Sequence, residues 1–570
     1  MGVEKRKQLR LTVIFIVLIC IFTGLGLWFR GNPLFTGQGL RRRNQPAAPE
    51  PTYAPYEPVV YYDAEPTAAP EALALPNDGA PISRFYTTAR AAVFTFSGLG
   101  NERELQSVLD ALKKSDSRAT FFVTPEDLER RADQVEQITR AGHSLGIGVA
   151  LGENAGVNQL LSAMQSEAEK LRSDYRAYYE LFVRPTFGSG NAALQQAAAA
   201  GGFHVLTELK EAVPEKVSRM TDAEEIISAT FKENDGTLQR GEIVHFQMNL
   251  FQYSDTVLGD LVERVIAEKC SYPVVPANAV AEDTANLYQY PLSKDQILGE
   301  VRDKIYPGHL AGKTPEEIFE IIREGYIGIP WIVSHYFMPG FTDKQTRRLD
   351  QTGIIKNDEN YVFLTFDDWG TDGTVDKLLG VLEKHNATAT FFVKTQYVPY
   401  NPNLLRAIAQ AGHTVGAHTH KHIPLSNEVQ PTYFVELDEQ QREELEEDIV
   451  TCYDTMQYII GDLTDADGKP SLSLLFRQPT LAVGRNGLET VFDCGYTHAI
   501  AGNYTTTDYE AESAAALVED VKKNIKPGAI LVMHFSDNAQ YTAEAVDMLL
   551  TEYESNGSGY QFVGLNKVLG

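Results

Sequence analysis

The sequence predicts an α/β protein made of two tandem copies of one parallel-sheet or (β/α)-barrel domain. Three observations predict it. Short apolar runs alternate with amphipathic helical stretches through each copy, the pattern of strand-helix-strand units. The phrase Ala119-Thr120-Phe121-Phe122-Val123 returns 270 residues later as Ala389-Thr390-Phe391-Phe392-Val393. Thr95-Phe96 and Thr365-Phe366, Ala141-Gly142-His143 and Ala411-Gly412-His413, and Gly146 and Gly416 are related by the same offset, so one fold is present twice. The apolar run Phe363–Phe366 ends in Asp367 and Asp368, at the kind of strand end where such folds gather their chemistry.

The chain has 570 residues, enough for two or three domains with full cores. Its formal net charge of −27 excludes a general electrostatic attraction to nucleic acid. Residues 1–10 carry Lys5, Arg6, Lys7 and Arg10 and read as a cytoplasmic tail. Residues 11–29, Leu11 to Phe29, hold no charge and have the length of a transmembrane helix, with no small-residue cleavage site after them. The expected placement is therefore the cell membrane, single-pass, with the C-terminal domains extracellular. Residues 30–87 read as a Pro/Ala-rich linker, nine of the 27 prolines falling between Pro46 and Pro81.

The first copy is expected over 88–278 and the second over 350–570. In the second, Tyr361–Phe366 reads as a strand, Thr374–His385 as a helix, Ala389–Val393 as a strand and Asn403–Gly412 as a helix stopped by its glycine. Residues 279–349 belong to neither copy and read as a partly helical connector, with a helix opened by Thr314-Pro315-Glu316-Glu317. Cys452 and Cys494 share the second copy, either as a pair or as buried thiols.

The chemistry is concentrated in the second copy. One carboxylate and two imidazoles can hold a divalent metal with positions left for water, and a second carboxylate can then take that water's proton. Asp367 and Asp368 supply the carboxylates, and His418-Thr419-His420-Lys421-His422 supplies the imidazoles. His418 and His422 lie one helical turn apart. On a strand His420 would share their face and is the alternative ligand.

Thr365-Phe366-Asp367-Asp368 and His418-Thr419-x-x-His422 resemble the first two motifs of the polysaccharide deacetylases, the NodB-homology carbohydrate esterases. The resemblance implies two tandem distorted (β/α) barrels of NodB-homology type and removal of acetyl groups from sugars. It implies a divalent metal, zinc first, with cobalt, nickel or manganese as alternatives. By position, Asp367 is the general base, and Asp368, His418 and His422 bind metal. Arg477-Gln478-Pro479 resembles the motif whose Arg orients the base. Thr480 replaces that motif's aromatic and still offers a backbone N–H to an oxyanion. Ile530–His534 resembles the last motif and makes His534 the general acid. Asn503–Tyr509 is the best match for the motif that tunes this acid, with Tyr509 at the Trp position. Thr505 then stands where the tuning aspartate is expected and Asp508 is displaced from it, so the partner of His534 stays unassigned. Trp369, directly after the Asp pair, either lines a sugar groove or packs at the barrel mouth.

The first copy is degenerate. Ser97 and Gly98 replace Asp367 and Asp368, and Gly148 and Gly152 replace His418 and His422. Gln247 falls opposite His534, with His245 nearby, so this copy is expected to bind no catalytic metal. His143 persists where His413 stands in the second copy, which marks His413 as structural. The expected function is a metal-dependent hydrolase removing N-acetyl groups from a cell-wall glycan, peptidoglycan first. The alternatives are an O-acetyl polysaccharide esterase and a non-catalytic glycan-binding scaffold. The expected partners are the glycan and, through the N-terminal helix, the membrane; oligomeric state is not legible.

Overall fold

The structure is a computed structural model. It describes residue 75 and residues 78–570, apart from 151–154, 176–178, 187–189, 232–236, 299–304, 329–337 and 431–432. Residues 1–10, the apolar 11–29 and most of the 30–87 linker lie outside the described residues, as does Gly152. Among the described residues no helix is long and apolar enough to cross a membrane. Even the long helix Glu439–Ile460 is amphipathic and carries Arg442, Glu443, Glu444, Glu446 and Glu447 in its first half. The expectation of a single-pass membrane protein with extracellular domains is corrected accordingly: no described helix supports it, and it plays no further part.

The first sheet contains β1 (Ala92–Ser97), β2 (Thr120–Val123), β3 (Ser144–Val149), β4 (Tyr179–Pro185), β5 (His204–Val205), β6 (Lys210–Glu211), β7 (Ile243–Gln247) and β8 (Val274–Val275). Their order is β5-β4-β3-β2-β1-β7-β6, with β8 beside β1. The connector adds β9 (Tyr326–Ile327), and the second copy adds β10 (Tyr361–Asp368), β11 (Thr390–Val393), β12 (Thr414–Ala417), β13 (Asn427–Gln430), β14 (Tyr433–Val435), β15 (Leu472–Phe476), β16 (His498–Ile500), β17 (Tyr504–Thr505), β18 (Ile530–His534) and β19 (Gln561–Val563). The second sheet runs β17-β18-β10-β11-β12-β15-β16-β9, with β19 beside β10, while β13 and β14 form a separate hairpin. All pairings in the two large sheets are parallel, and each sheet curls into an open half-barrel.

Burial explains these strands. Every residue of β1 and β2 and the middle of β10 is buried, as expected for apolar strands covered on both faces. The repeat is kept to the residue: Thr95, Phe96 and Ser97 pair with Thr120, Phe121 and Phe122, and Thr365, Phe366 and Asp367 pair with Thr390, Phe391 and Phe392. His143 packs on Phe121 and His413 on Phe391, both at 5.3 Å between ring centres. Burial pushes the His413 ring down to about 4, so it serves as a neutral core residue.

The connector helix starts where its cap predicts. Thr314 and Glu317 form a capping box at Pro315–Gly325. In the second copy α1 spans Asp372–Lys384, α2 spans Pro402–Gln410 and α3 spans Glu439–Ile460. Gly412 ends α2 with φ of +86°, a left-handed conformation that favours glycine.

The connector is more than a tether. Its β9 pairs with β16 and completes the second sheet, which thus begins upstream of residue 350. The end of the linker also folds: Ile82, Arg84 and Thr87 bridge to Leu206, Glu242 and Leu287. Cys452 and Cys494 are buried free thiols.

Candidate active site

Parallel pairing brings the site residues to one end of the second sheet. Asp367 pairs with His534 across β10 and β18, and Phe392 lies on the other side of Asp367. Ala417 ends β12 directly before His418, and Phe476 ends β15 directly before Arg477. The strands therefore deliver Asp367, Asp368, His418, Arg477 and His534 to a common mouth.

The two adjacent carboxylates face different partners. Both oxygens of Asp367 accept from Arg477 Nη1 at 3.0 Å. Arg477 Nη2 donates to the Thr365 hydroxyl at 3.0 Å, and the fully buried guanidinium lies over the Phe392 ring, 4.4 Å from its centre. This grip holds Asp367 away from its neighbour. Asp368 turns the other way, with φ of +85°. Its Oδ1 is buried, accepts no hydrogen bond, and lies 3.9 Å from His418 Nε2 and 3.7 Å from His422 Nε2.

One ligand atom from each of Asp368, His418 and His422 lies within 4.8 Å of the others. The donor set fits a divalent cation on two further observations. His418 Nδ1–H donates to the Arg477 carbonyl at 2.9 Å, which leaves Nε2 with its lone pair toward the centre. Burial lowers His418 below its ordinary value, and burial with the neighbouring His418 takes His422 down to about 4, so both rings are neutral ligands near pH 7. Burial opposes ionisation of Asp368, but the positive charge the site places around it, that of Lys394 at neutral pH, outweighs burial and holds its carboxyl below the usual range.

His420 does not join this group. Its Nδ1 meets the Thr395 hydroxyl at 3.0 Å, so the loop points only two of its three imidazoles inward. The loop is not a helix: Thr419 and His422 have φ of +59° and +65°. It is shaped by buried Asp448 of α3, whose two oxygens accept the backbone N–H groups of His420 and Lys421. Asp368, Thr419, His422, Thr480 and Leu481 make up five of the eight non-glycine residues with positive φ among the described residues. Such strain, about 1–3 kcal/mol per residue, persists only where the surroundings over-determine it.

On the opposite wall, His534 Nδ1–H donates to Asp508 Oδ1 at 2.7 Å, and the other Asp508 oxygen accepts the His534 backbone N–H and the Thr542 hydroxyl, each at 2.7 Å. Burial lowers the His534 ring, but the hydrogen bond and charge of Asp508 prevail and raise it above its ordinary value. Asp508 is thus the partner that sequence reading left unassigned. Thr505 lies on β17 opposite Val532 and only marks the strand beside it. Tyr509 sets its ring edge-on to His534 at 5.2 Å. Trp369 is half-buried and packs edge-on to Phe535 at 6.2 Å, and exposed Thr480 sits in the turn after Arg477 with φ of +57°.

Sequence reading missed Asp448 and Lys394 entirely. Lys394 follows β11 and brings Nζ to 3.7 Å from Asp368 Oδ1. No local pattern announces either, since each meets the site only through the fold.

The equivalent mouth of the first copy is filled. Ser97 pairs with Gln247 in the register that joins Asp367 to His534. Ser97 donates to Gln247 Oε1 at 2.7 Å, and His245 bridges the Ser97 and Thr95 hydroxyls at 3.0 Å each. Gly98 keeps the left-handed turn of Asp368, with φ of +82°, but a Cβ there would fall 2.3 Å from Gln247 Nε2. At Gly148 a Cβ would meet Thr124 and Val123 at 3.0–3.1 Å.

A polysaccharide deacetylase family model matches residues 86–206 and again residues 355–499. The chain is thus similar to the polysaccharide deacetylases in both of its copies. Its second deacetylase domain retains the ligand geometry described above, and its first is degenerate. Among curated relatives, a peptidoglycan-N-acetylglucosamine deacetylase of Bacillus cereus is 28% identical over 39% of this chain and 96% of the relative. The peptidoglycan-N-acetylmuramic acid deacetylase PdaA of Bacillus subtilis is 24% identical over 37% of this chain and 72% of its own length. The peptidoglycan deacetylase PgdA of Listeria monocytogenes is 26% identical, and the match spans 39% of its length. Among solved structures, a CE4 family pseudoenzyme from Bacillus anthracis aligns at 22% identity and a TM-score of 0.31, covering 38% of this chain and 67% of that one.

Proposed function

We propose that the second deacetylase domain is a metal-dependent hydrolase that removes N-acetyl groups from a cell-wall glycan, with the amino sugars of peptidoglycan as substrate. The observation that carries this reading is Asp368 Oδ1, buried without a hydrogen bond between two neutral imidazoles, while Asp367 beside it is held apart by Arg477. The peptidoglycan deacetylases among the relatives supply the substrate class. Asp368, His418 and His422 would hold the cation, and two nitrogens with one oxygen suit zinc, with cobalt, nickel or manganese as substitutes. Bound there, a divalent cation supplies Lewis acidity for a carbonyl and for water.

The protein's own groups divide the proton work. Asp367, oriented through both oxygens by Arg477, is the general base that takes a proton from the attacking water. His534, whose protonated form Asp508 favours, gives a proton to the departing amine. The backbone N–H of Thr480 offers a donor to the oxyanion, and Trp369 with Tyr509 walls the mouth. The first domain, with Ser97, Gly98, Gly148 and Gly152 at the corresponding positions, takes no part in the chemistry.

Acetate release from N-acetylated chitooligosaccharide and from peptidoglycan tests this reading. Chelator-treated protein should release none, and added zinc or cobalt should restore turnover. Folded protein that releases no acetate with any divalent metal would overturn it.

A further inference from the structure

The first domain meets the second through its own far end. Arg240 precedes Gly241, whose turn leads into β7, and Tyr272 precedes β8, so both lie at the N-terminal ends of strands. Ser97 and Gln247 lie at the opposite ends of their strands. Arg240 is only 2% exposed. Its Nε donates to Asp372 Oδ1 at 2.8 Å, its Nη2 to Asp376 Oδ1, and its Nη1 to the Thr88 carbonyl at 3.0 Å. The Tyr272 hydroxyl lies within hydrogen-bond reach of both carboxylates, 2.6 Å from Asp372 Oδ1.

These carboxylates belong to the first turns of α1, the helix that leaves the catalytic strand. Asp372 is four residues past Asp368 and 1% exposed. Its second oxygen accepts from Asn401, at the end of the segment that follows β11. On the other side of the same turn, Asp537 accepts the Thr371 N–H at 3.2 Å and the Thr371 and Thr374 hydroxyls at 2.7 and 2.6 Å. Asp537 is three residues past His534. The turn that follows Asp367 and Asp368 is therefore clamped from the His534 loop and from the first domain. Asn403 completes the junction: its amide donates to the Phe85 and Arg240 carbonyls at 2.9 and 2.8 Å, and its oxygen accepts from Tyr288 at 2.9 Å and the Thr87 N–H at 3.2 Å.

Burying one guanidinium with two carboxylates is a poor way to gain stability, because desolvation consumes most of the attraction. It does impose one orientation, since each group is costly in any other arrangement. Asp368 needs such a constraint, because its left-handed backbone is not self-sustaining. We propose that Arg240 and Tyr272 are positioning residues for the second domain's metal site, acting through Asp372, so that the degenerate domain is retained as a brace. The proposal rests on the metal-dependent deacetylase reading given above.

The test uses the full chain with Tyr272→Phe, Arg240→Lys and Arg240→Met. Cobalt absorption, cobalt Kd, and kcat and KM on N-acetylated chitooligosaccharide are measured beside far-UV circular dichroism. Tyr272→Phe should stay folded and lower kcat roughly tenfold, with KM nearly unchanged and an altered cobalt band, the kind of loss expected when catalytic groups shift by a fraction of an ångström. Arg240→Lys should retain more activity than Arg240→Met. Wild-type kcat and cobalt band in Tyr272→Phe, with the wild-type chain active, would overturn the brace alone. A wild-type chain that neither binds cobalt nor releases acetate would overturn the functional reading, and the brace with it.

Discussion

Asp508 holds His534 by ring and backbone together: one carboxylate oxygen takes the ring N–H and the other the main-chain N–H, each at 2.7 Å. This fixes the tautomer, directs Nε2 into the mouth and favours the protonated ring.

The sign of the pH dependence follows. His534 is raised above its ordinary value, so the acid form persists to higher pH than in a free imidazole, and activity should fall as pH rises through that raised value. In Asp508→Asn the charge is gone, and the alkaline limb of the kcat profile should move to lower pH. A profile that keeps its limb would remove His534 as the acid.

Asp367 and His418 should separate in their effects. Asp367→Asn should keep the cation and lose roughly 10²–10⁴ in kcat, because the base is lost while Asp368, His418 and His422 remain. Its thermal midpoint should also fall, since Arg477 keeps a buried charge without a carboxylate partner. His418→Ala should lose the cation as well. Calorimetric metal titration checks both, and equal metal loss in the two variants contradicts the roles assigned.

Lys394 places a positive charge beside the ligand oxygen, 3.7 Å from Asp368 Oδ1, with its side chain three-quarters covered. Like charges at such separations repel by several kcal/mol at an effective dielectric of about 20, less after solvent screening. Lys394→Met should therefore tighten metal binding by roughly tenfold. A Kd that is unchanged or weaker would show that the ammonium swings clear of the cation.

Asp448 bonds to none of the three proposed metal-ligand side chains, yet it accepts two N–H groups of the loop between His418 and His422. Asp448→Ala should weaken metal affinity roughly 10–100-fold with all three ligands still present. Zinc competition against a chromophoric chelator measures this directly.

Much of the second domain was legible because its signals are local. Tyr361–Phe366 and Ala389–Val393 are apolar runs of strand length, and the strands observed at Tyr361–Asp368 and Thr390–Val393 differ from them by only one or two residues. The helix expected at Asn403–Gly412 occupies Pro402–Gln410 because proline suits its first turn and Gly412 its exit. The metal loop was harder. Helical spacing paired His418 with His422, but the loop reaches the same pairing through left-handed turns at Thr419 and His422.

The chain alone determined that one fold occurs twice, that the second copy carries two carboxylates and two imidazoles where the first has Ser97, Gly98, Gly148 and Gly152, and which strand delivers the carboxylates. These are statements about adjacent residues and short periods, and steric and hydrophobic patterning is strongest at that range. The tertiary structure decided that Asp508 rather than Thr505 serves His534, that Asp448 shapes the metal loop, and that Arg240 of one domain reaches Asp372 of the other. Hydrogen bonds and buried charges between residues remote in sequence depend on distances that exist only once the sheets have curled and the helices have packed, so no local pattern encodes them.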